Sequence, residues 1–249
     1  TSILGWSKNK IKLFFYRLFL NLADDIIVNS KLFQKEFLKK FNIKVKYIYN
    51  PFDKNAVRTN ISKNKKIHFF KKDTLNLLSI GRLTDQKDQL TLLKSMKLVD
   101  AKLKPRLVVI GRGKNFYALE QYAREHNMQK YIKFTGYLKN PYHYIKKAKI
   151  LILTSKFEGL PNILIEAQFF KKYIISTDCP TGPKEILLNG LAGDLIKIGD
   201  YKKLAFLINN YYKNKKDILK KINTGSKYFN RFDYQKNCKE YLNFVLNNF

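Results

Sequence analysis

Several things are scarce in this sequence. Two cysteines, Cys179 and Cys238, are too few for a disulfide scaffold and have no metal-type spacing, so they read as reduced thiols. Eleven glycines and six prolines exclude a collagen-like chain. No stretch approaches the roughly 18 consecutive apolar residues of a membrane-spanning helix. The best candidate, Leu13 to Leu22, is interrupted by Arg17 and followed by Asp24 and Asp25. The start lacks the ordered charged segment, apolar run and small-residue cleavage site of a signal peptide. The sequence opens on Thr1 rather than Met, so residues are expected to be missing from the front, any targeting segment among them. The three histidines, His68, His126 and His143, fall in no ligand-type spacing and receive no catalytic role. Acidic residues are scarce too: 19 Asp and Glu stand against 49 Lys and Arg, a formal charge of +30.

What is present fits a globular chain. Hydrophobic residues make up 45% of the 249, which argues against disorder throughout. The length allows one large domain or two small ones. A charge of this size attracts polyanions: nucleic acid, anionic lipid head groups or phosphorylated metabolites. Lysine is spread along the chain in pairs such as Lys39-Lys40, Lys146-Lys147 and Lys215-Lys216 rather than concentrated in one stripe. That spread, with no zinc-finger spacing or aromatic RNP-like strand, argues against nucleic acid as the partner.

Four parts separate along the chain. Residues 1–50 hold a basic amphipathic stretch, a short strand at Asp25 to Val28, a helical pattern through Phe33, Phe37 and Phe41, and a strand from Val45 to Tyr49. Residues 51–73 are polar and Lys-rich and read as a basic linker. Over residues 74–200, short apolar runs alternate with helical periodicity. The strands are Leu75 to Ile80, Leu107 to Ile110, Ile132 to Phe134, Ile150 to Leu153, Ile174 to Ser176 and Leu195-Ile196, with a short helix from Glu185 to Leu188. Continuous apolar strands between helices mean a parallel sheet covered on both faces, an α/β doubly wound domain. Residues 201–249 read as two or three helices.

In open α/β sheets, ligands bind outside the carboxyl ends of the strands. After the first strand comes Gly81-Arg82-Leu83-Thr84-Asp85-Gln86-Lys87. Gly81 is expected to let the backbone turn sharply, and Arg82 and Lys87 place two cations where a helix opens, a setting suited to phosphate. After the second strand, Gly111-Arg112-Gly113 marks only a tight turn, since Phe116 occupies the third glycine position of a dinucleotide fingerprint. After the fourth strand comes Glu158-Gly159-Leu160-Pro161-Asn162-Ile163, with Glu166 in the following helix. Pro161 suits a first helical turn. The chain turns between the two glutamates, so both carboxylates converge on one ligand, with the amides near Asn162 and Ile163 facing the same space. Carboxylates accept hydrogen bonds from hydroxyls, and cations with amides hold diphosphate. Each feature alone has a plainer reading, a solvated basic loop or a carboxylate favouring a helix dipole. The full arrangement describes a nucleotide-sugar site.

The block from about 75 to 200, with "LLSIGRLTDQKD", "LVVIGRG", "IKFTGYLKNP", "ILTSKFEGLPNILIEA", "IISTDCPTGPKEIL" and "GDLIKIGD", resembles the retaining glycosyltransferase family 4. Members of that family have the GT-B fold, two Rossmann-like domains facing across a cleft. The resemblance implies a carboxyl-terminal domain that binds a nucleotide-sugar donor, UDP- or GDP-linked. It implies that Arg82 and Lys87, beside Gly81, hold the diphosphate. Glu158, in the catalytic set, binds hydroxyls of the transferred sugar, and Glu166 the ribose. Backbone at Gly136, Tyr137 and Leu138 meets the base, and Gly159, Leu160, Pro161, Asn162 and Ile163 present amides. It implies retention without a protein nucleophile, no metal and no cofactor; no Asp-x-Asp motif is present, and Asp24-Asp25 does not match one. The implied acceptor is a polysaccharide or glycolipid, as in lipopolysaccharide or capsule assembly.

Members usually carry an amino-terminal domain about as large as the carboxyl-terminal one. Here "ADDIIVNSKLFQKEF" and "KVKYIYNPFD" resemble only its last part. The expectation is either a fragment, which the opening on Thr1 favours, or a natural truncation that binds donor without transfer activity of its own. The final helices, about 230–249, are expected to cross back and brace the amino-terminal part. In residues 8–22, Ile11, Phe14, Phe15, Leu18 and Leu22 form an apolar face flanked by Lys8, Lys10, Lys12 and Arg17. Packing inside the rest of that domain is the first reading, and an interfacial helix on an anionic membrane the second. The expected location is the cytoplasm, peripheral to the inner face of the cytoplasmic membrane.

Overall fold

The computed structural model describes residues 10–61 and 67–248. Short runs of branched apolar residues become strands because both of their faces are buried. β3 (Leu75–Ile80), β4 (Pro105–Ile110), β5 (Ile132–Phe134), β6 (Ile150–Leu153), β7 (Tyr173–Thr177) and β8 (Asp194–Ile196) form one sheet, every pairing parallel. Their order is β5-β4-β3-β6-β7-β8. The chain winds outward from β3 to one edge, returns to β6 beside β3, and winds to the other edge. This is the doubly wound sheet expected of one Rossmann-like half of a GT-B fold.

Side chains alternate across the sheet with a period of two. Leu75, Leu77, Leu107, Val109, Ile150, Ile152, Tyr173 and Ile175 face one core. It is covered by α4 (Gln89–Met96), α5 (Phe116–Glu125), α9 (Tyr201–Asn209) and Ile218 of α10 (Lys215–Lys227). Leu78, Val108, Ile110, Leu151, Leu153 and Ile174 face the other. That core is closed by α3 (Lys54–Asn60), α6 (Tyr142–Lys147), α7 (Asn162–Phe169), α8 (Gly182–Ile186) and the short turn Phe229–Phe232.

Segment 51–73, read from its lysines as a linker, carries α3 and sends Phe52, Val57, Ile67 and Phe70 into this second core. Its described polar residues are exposed or half-buried while four spaced apolar ones anchor it. The helix expected from Glu185 to Leu188 begins earlier, as α8, because Pro183 sits in its first turn. Ahead of the sheet, β1 (Ile27–Val28), α2 (Lys31–Phe41) and β2 (Lys46–Tyr47) make a small parallel βαβ unit. Phe33, Phe37 and Phe41 supply its core, and Ser30 caps α2 by accepting from the Phe33 N–H. β2 is shorter than the expected Val45–Tyr49 strand, and β1 is its only sheet partner among the described residues.

α11 (Tyr234–Asn248) runs back to this unit, where Glu240 lies 3.9 Å from Lys46. α1 (Lys10–Leu20) exposes Ile11, Phe14, Phe15, Leu18 and Phe19. Lys8 lies outside the described residues. No helix among the described residues is long and apolar enough to cross a membrane.

Candidate functional site

The strand order reverses between β3 and β6, the position at which doubly wound sheets take ligands at the carboxyl edge. The Gly81–Lys87 loop forms one side of this position and the Thr154–Asn162 loop the other. They are stitched together by hydrogen bonds. The Lys156 N–H donates to the Gln86 carbonyl at 2.7 Å, the Gln86 side chain donates to the Phe157 carbonyl at 3.0 Å, and the Thr154 hydroxyl donates to the Lys87 carbonyl at 3.0 Å.

Lys87 and Glu158 meet in this seam. Nζ of Lys87 lies 2.5 Å from Oε1 of Glu158, and the side chains are only 15% and 8% exposed. The Ser155 hydroxyl donates to the same Oε1 at 2.6 Å. Among the described residues Oε2 of Glu158 receives no donor, and an ammonium has three protons to give. Each partner of the pair therefore keeps capacity for a ligand. Removing one member leaves a buried charge unpaired, so this pair stands or falls together. Arg82 is exposed, and its guanidinium donates to the Gln86 side chain at 3.3 Å, which places it on the same side.

Behind Glu158, Thr181 adopts φ 76°, a conformation that costs a β-branched residue about 1–3 kcal/mol. Its buried hydroxyl donates toward the Glu158 carbonyl. The next residue, Gly182, donates its N–H to the Gly159 carbonyl at 2.7 Å, and a Cβ built there would sit 1.9 Å from that oxygen. α8 is thus pressed against Gly159, Leu160 and Pro161, which are buried. α7 starts at Asn162 behind Pro161 with no side-chain cap. Its first N–H groups lack intrahelical acceptors and carry the positive end of the helix dipole.

Glu166 stands one turn beyond Asn162 on the same face of α7. It is joined by no hydrogen bond to Arg82, Lys87 or Glu158. Burial raises its carboxyl from the ordinary value to about 7. Burial first, and then the Glu166 carboxylate, push the Tyr142 phenol upward, so Glu166 faces α6, the helix after the Gly136–Leu138 segment. There Gly136 has φ 71°, its carbonyl accepts from the Gly111 N–H at 2.9 Å, Tyr137 is exposed and Leu138 packs on the core. Ile163 is half-buried and packs against the same core.

The chain bends at Gly81 as expected, but Gly81 has no left-handed φ and a Cβ there would make ordinary 3.6 Å contact with Lys87, so the bend does not require glycine. The close backbone approach is at Gly111, φ 151°, where a Cβ would lie 1.9 Å from the Gly81 carbonyl. Cys179, buried beneath the seam, has its thiol pushed up to about 12 by burial, which keeps it protonated and inert. Among the described residues no three His, Cys, Asp or Glu side chains cluster as a metal site.

A family model described as glycosyl transferases group 1 matches residues 60–228, more than half of the chain. The chain belongs to this family. An uncharacterised glycosyltransferase of Methanocaldococcus jannaschii is 36% identical over 186 residues, 72% of this chain and 46% of that protein. A Campylobacter jejuni N-acetylgalactosaminyltransferase, named for a diphospho-undecaprenol-linked acceptor, is 27% identical over 227 residues, 88% of this chain and 60% of its own length. The chain therefore spans about half the length of these relatives. Among solved structures, Anabaena HepE in complex with UDP superposes with a TM-score of 0.82 at 17% identity, over 98% of this chain and 69% of that one. Staphylococcus aureus TarM superposes with a TM-score of 0.77 at 19% identity, over 94% and 46%. At these identities the likeness is one of fold.

Within this group 1 chain, no sequence motif marks three side chains at the seam, Gln86, Ser155 and Thr181, or Asn50, whose amide donates to the Asn162 side chain at 2.6 Å. Ser155 lies three residues before Glu158, and Gln86 immediately before Lys87, so proximity in sequence was a usable signal for both. Thr181 and Asn50 offered no such signal.

Proposed function

We propose that the chain is the donor-binding part of a glycosyltransferase that moves a sugar from a nucleoside-diphosphate sugar to a polysaccharide or lipid-linked glycan. The observation that carries this reading is the Lys87–Glu158 pair at the strand-order reversal, with Arg82 on one side and the uncapped start of α7 on the other. Arg82 and Lys87 neutralise the diphosphate, and the first amides of α7 bind it further. Oε2 of Glu158 accepts from a hydroxyl of the transferred sugar, while Oε1 stays on Lys87 and Ser155. Glu166 takes the ribose hydroxyls, and the Gly136–Leu138 backbone meets the base.

Transfer with retention then runs on one face of the sugar. The acceptor oxygen bonds to the anomeric carbon as the bond to the diphosphate oxygen breaks. The acceptor proton passes to the departing phosphate, and no protein nucleophile forms a bond. Fixed cations and helix amides stabilise the charge that develops on the leaving group, so no metal ion and no cofactor is called for. The lipid-linked acceptor in the Campylobacter relative's name and the exposed apolar face of α1 support a site of action in the cytoplasm, peripheral to the inner membrane face.

A second reading is donor binding without transfer. Thermal unfolding with UDP, GDP and ADP tests the donor site: one of them should raise Tm, and no shift with any removes the proposal's support. Donor hydrolysis or transfer by the whole gene product separates the two readings.

A further inference from the structure

Asn50 ends the amino-terminal βαβ unit, yet its side chain reaches the loop in front of α7. Nδ2 of Asn50 donates to Oδ1 of Asn162 at 2.6 Å and lies 3.3 Å from the Leu160 carbonyl oxygen. Both flanks of Asn50 are tied down. On one side the Tyr49 hydroxyl donates to Oε1 of Glu185 at 2.6 Å. The Glu185 carboxylate, on α8, also accepts the N–H groups of Lys31 and Leu32, which open α2, at 2.9 and 3.0 Å. On the other side the Phe52 ring packs 5.2 Å from that of Phe169 in the last turn of α7, and the Phe52 N–H donates to the Phe232 carbonyl at 2.8 Å. Segment 49–52 therefore grips α8 through Tyr49, the start of α7 through Asn50, and the end of α7 through Phe52.

Amide chemistry gives this grip a direction. A carbonyl only accepts, so Leu160 requires Asn50 to present its NH2 group. That NH2 only donates, so Asn162 presents its oxygen in return. The NH2 of Asn162 is thereby turned away from Asn50. Asn162 is exposed and lies on the face of α7 that carries Glu166.

We propose that Asn50 is a positioning residue for the donor site. It fixes the Leu160–Asn162 backbone and orients the Asn162 amide so that its NH2 is offered as a donor to the anion at the start of α7. The inference rests on the donor-site reading above. Its consequence is that the seating of the amino-terminal unit sets the geometry of the nucleotide loop, so movement of one half of the enzyme is felt at the leaving group.

Two measurements on Asn50→Ala, Asn162→Ala and the double variant test it. The first is hydrogen exchange without ligand. Asn50→Ala should speed exchange in the Leu160–Glu166 peptide about tenfold while β6 and β7 keep their wild-type rates. The second is UDP affinity by calorimetry, with GDP and ADP alongside. Each single variant should weaken binding about 5–10-fold, and the double variant no more than either single, because one arrangement is lost in all three. Wild-type exchange in Asn50→Ala overturns the proposal whatever the nucleotide result. Unchanged affinity in Asn50→Ala, or losses that multiply in the double variant, overturns it too. If the wild-type chain binds none of the three nucleotides, the donor reading falls, and the exchange experiment still decides whether Asn50 holds the loop.

Discussion

Burial sets the working range of Glu166. A carboxyl raised to about 7 binds its proton more tightly in the folded chain than in the unfolded one. The contribution of Glu166 to folding stability is therefore greatest at acidic pH and falls as pH climbs from the ordinary carboxyl range through about 7. Glu166→Gln stays neutral throughout, so it should raise Tm at pH 8, by about 2–4 °C for each 1 kcal/mol relieved, and leave Tm nearly unchanged at about pH 4, below the ordinary carboxyl value. Calorimetry at the two pH values checks this, and equal shifts at both contradict it. On the proposal that Glu166 binds the ribose, nucleotide affinity rises through about pH 7 as its carboxylate forms, and the same substitution should flatten that rise. At this scale the sequence reveals chemistry carried by neighbours in the chain: Glu158, Gly159 and Pro161 lie within one loop. It hides contacts made at a distance. The partners of Asn50 are 110 and 112 positions away, and Thr181 meets Glu158 across 23. No spacing within the chain encodes either.

At the scale of elements, the site depends on α8 pressing against the loop before α7. Gly182→Ala places a Cβ 1.9 Å from the Gly159 carbonyl and 2.7 Å from the Leu160 Cα. It should destabilise the fold by about 1–3 kcal/mol through overpacking and weaken nucleotide binding as the loop shifts. Urea unfolding and calorimetry read the two effects, and wild-type values in both would show that the loop does not need this contact. The strands of the main sheet were legible because burial on both faces leaves unbroken apolar runs, as in Ile150 to Leu153. The role of Phe52 and Phe70 was not. Their partners arrive from α7, α6 and the Phe229–Phe232 turn, and four apolar residues scattered among lysines have no period to read. β2 shrinks because its hydrogen bonding comes from one short neighbour, which a local apolar pattern does not report.

For the whole molecule, on the membrane-surface proposal, the charge of +30 and the exposed apolar face of α1 act together. Anionic lipid attracts the first and the acyl boundary accepts the second. The chain should co-sediment with vesicles containing anionic lipid and release as salt rises past about 0.5 M, where screening lengths fall to a few ångströms. Binding that ignores anionic lipid content contradicts this. On the central proposal, Arg82, Lys87, Glu158 and the start of α7, gathered at the strand-order reversal, hold one diphosphate. Calorimetric titration of UDP, GDP and ADP into the wild-type chain and into folded Arg82→Ala tests it most directly. The wild-type chain should bind at least one of the three, and Arg82→Ala should weaken that binding about tenfold or more, the loss expected for a charged hydrogen-bond donor. Equal affinity in the two proteins, or no binding to the wild type, would contradict a diphosphate site there.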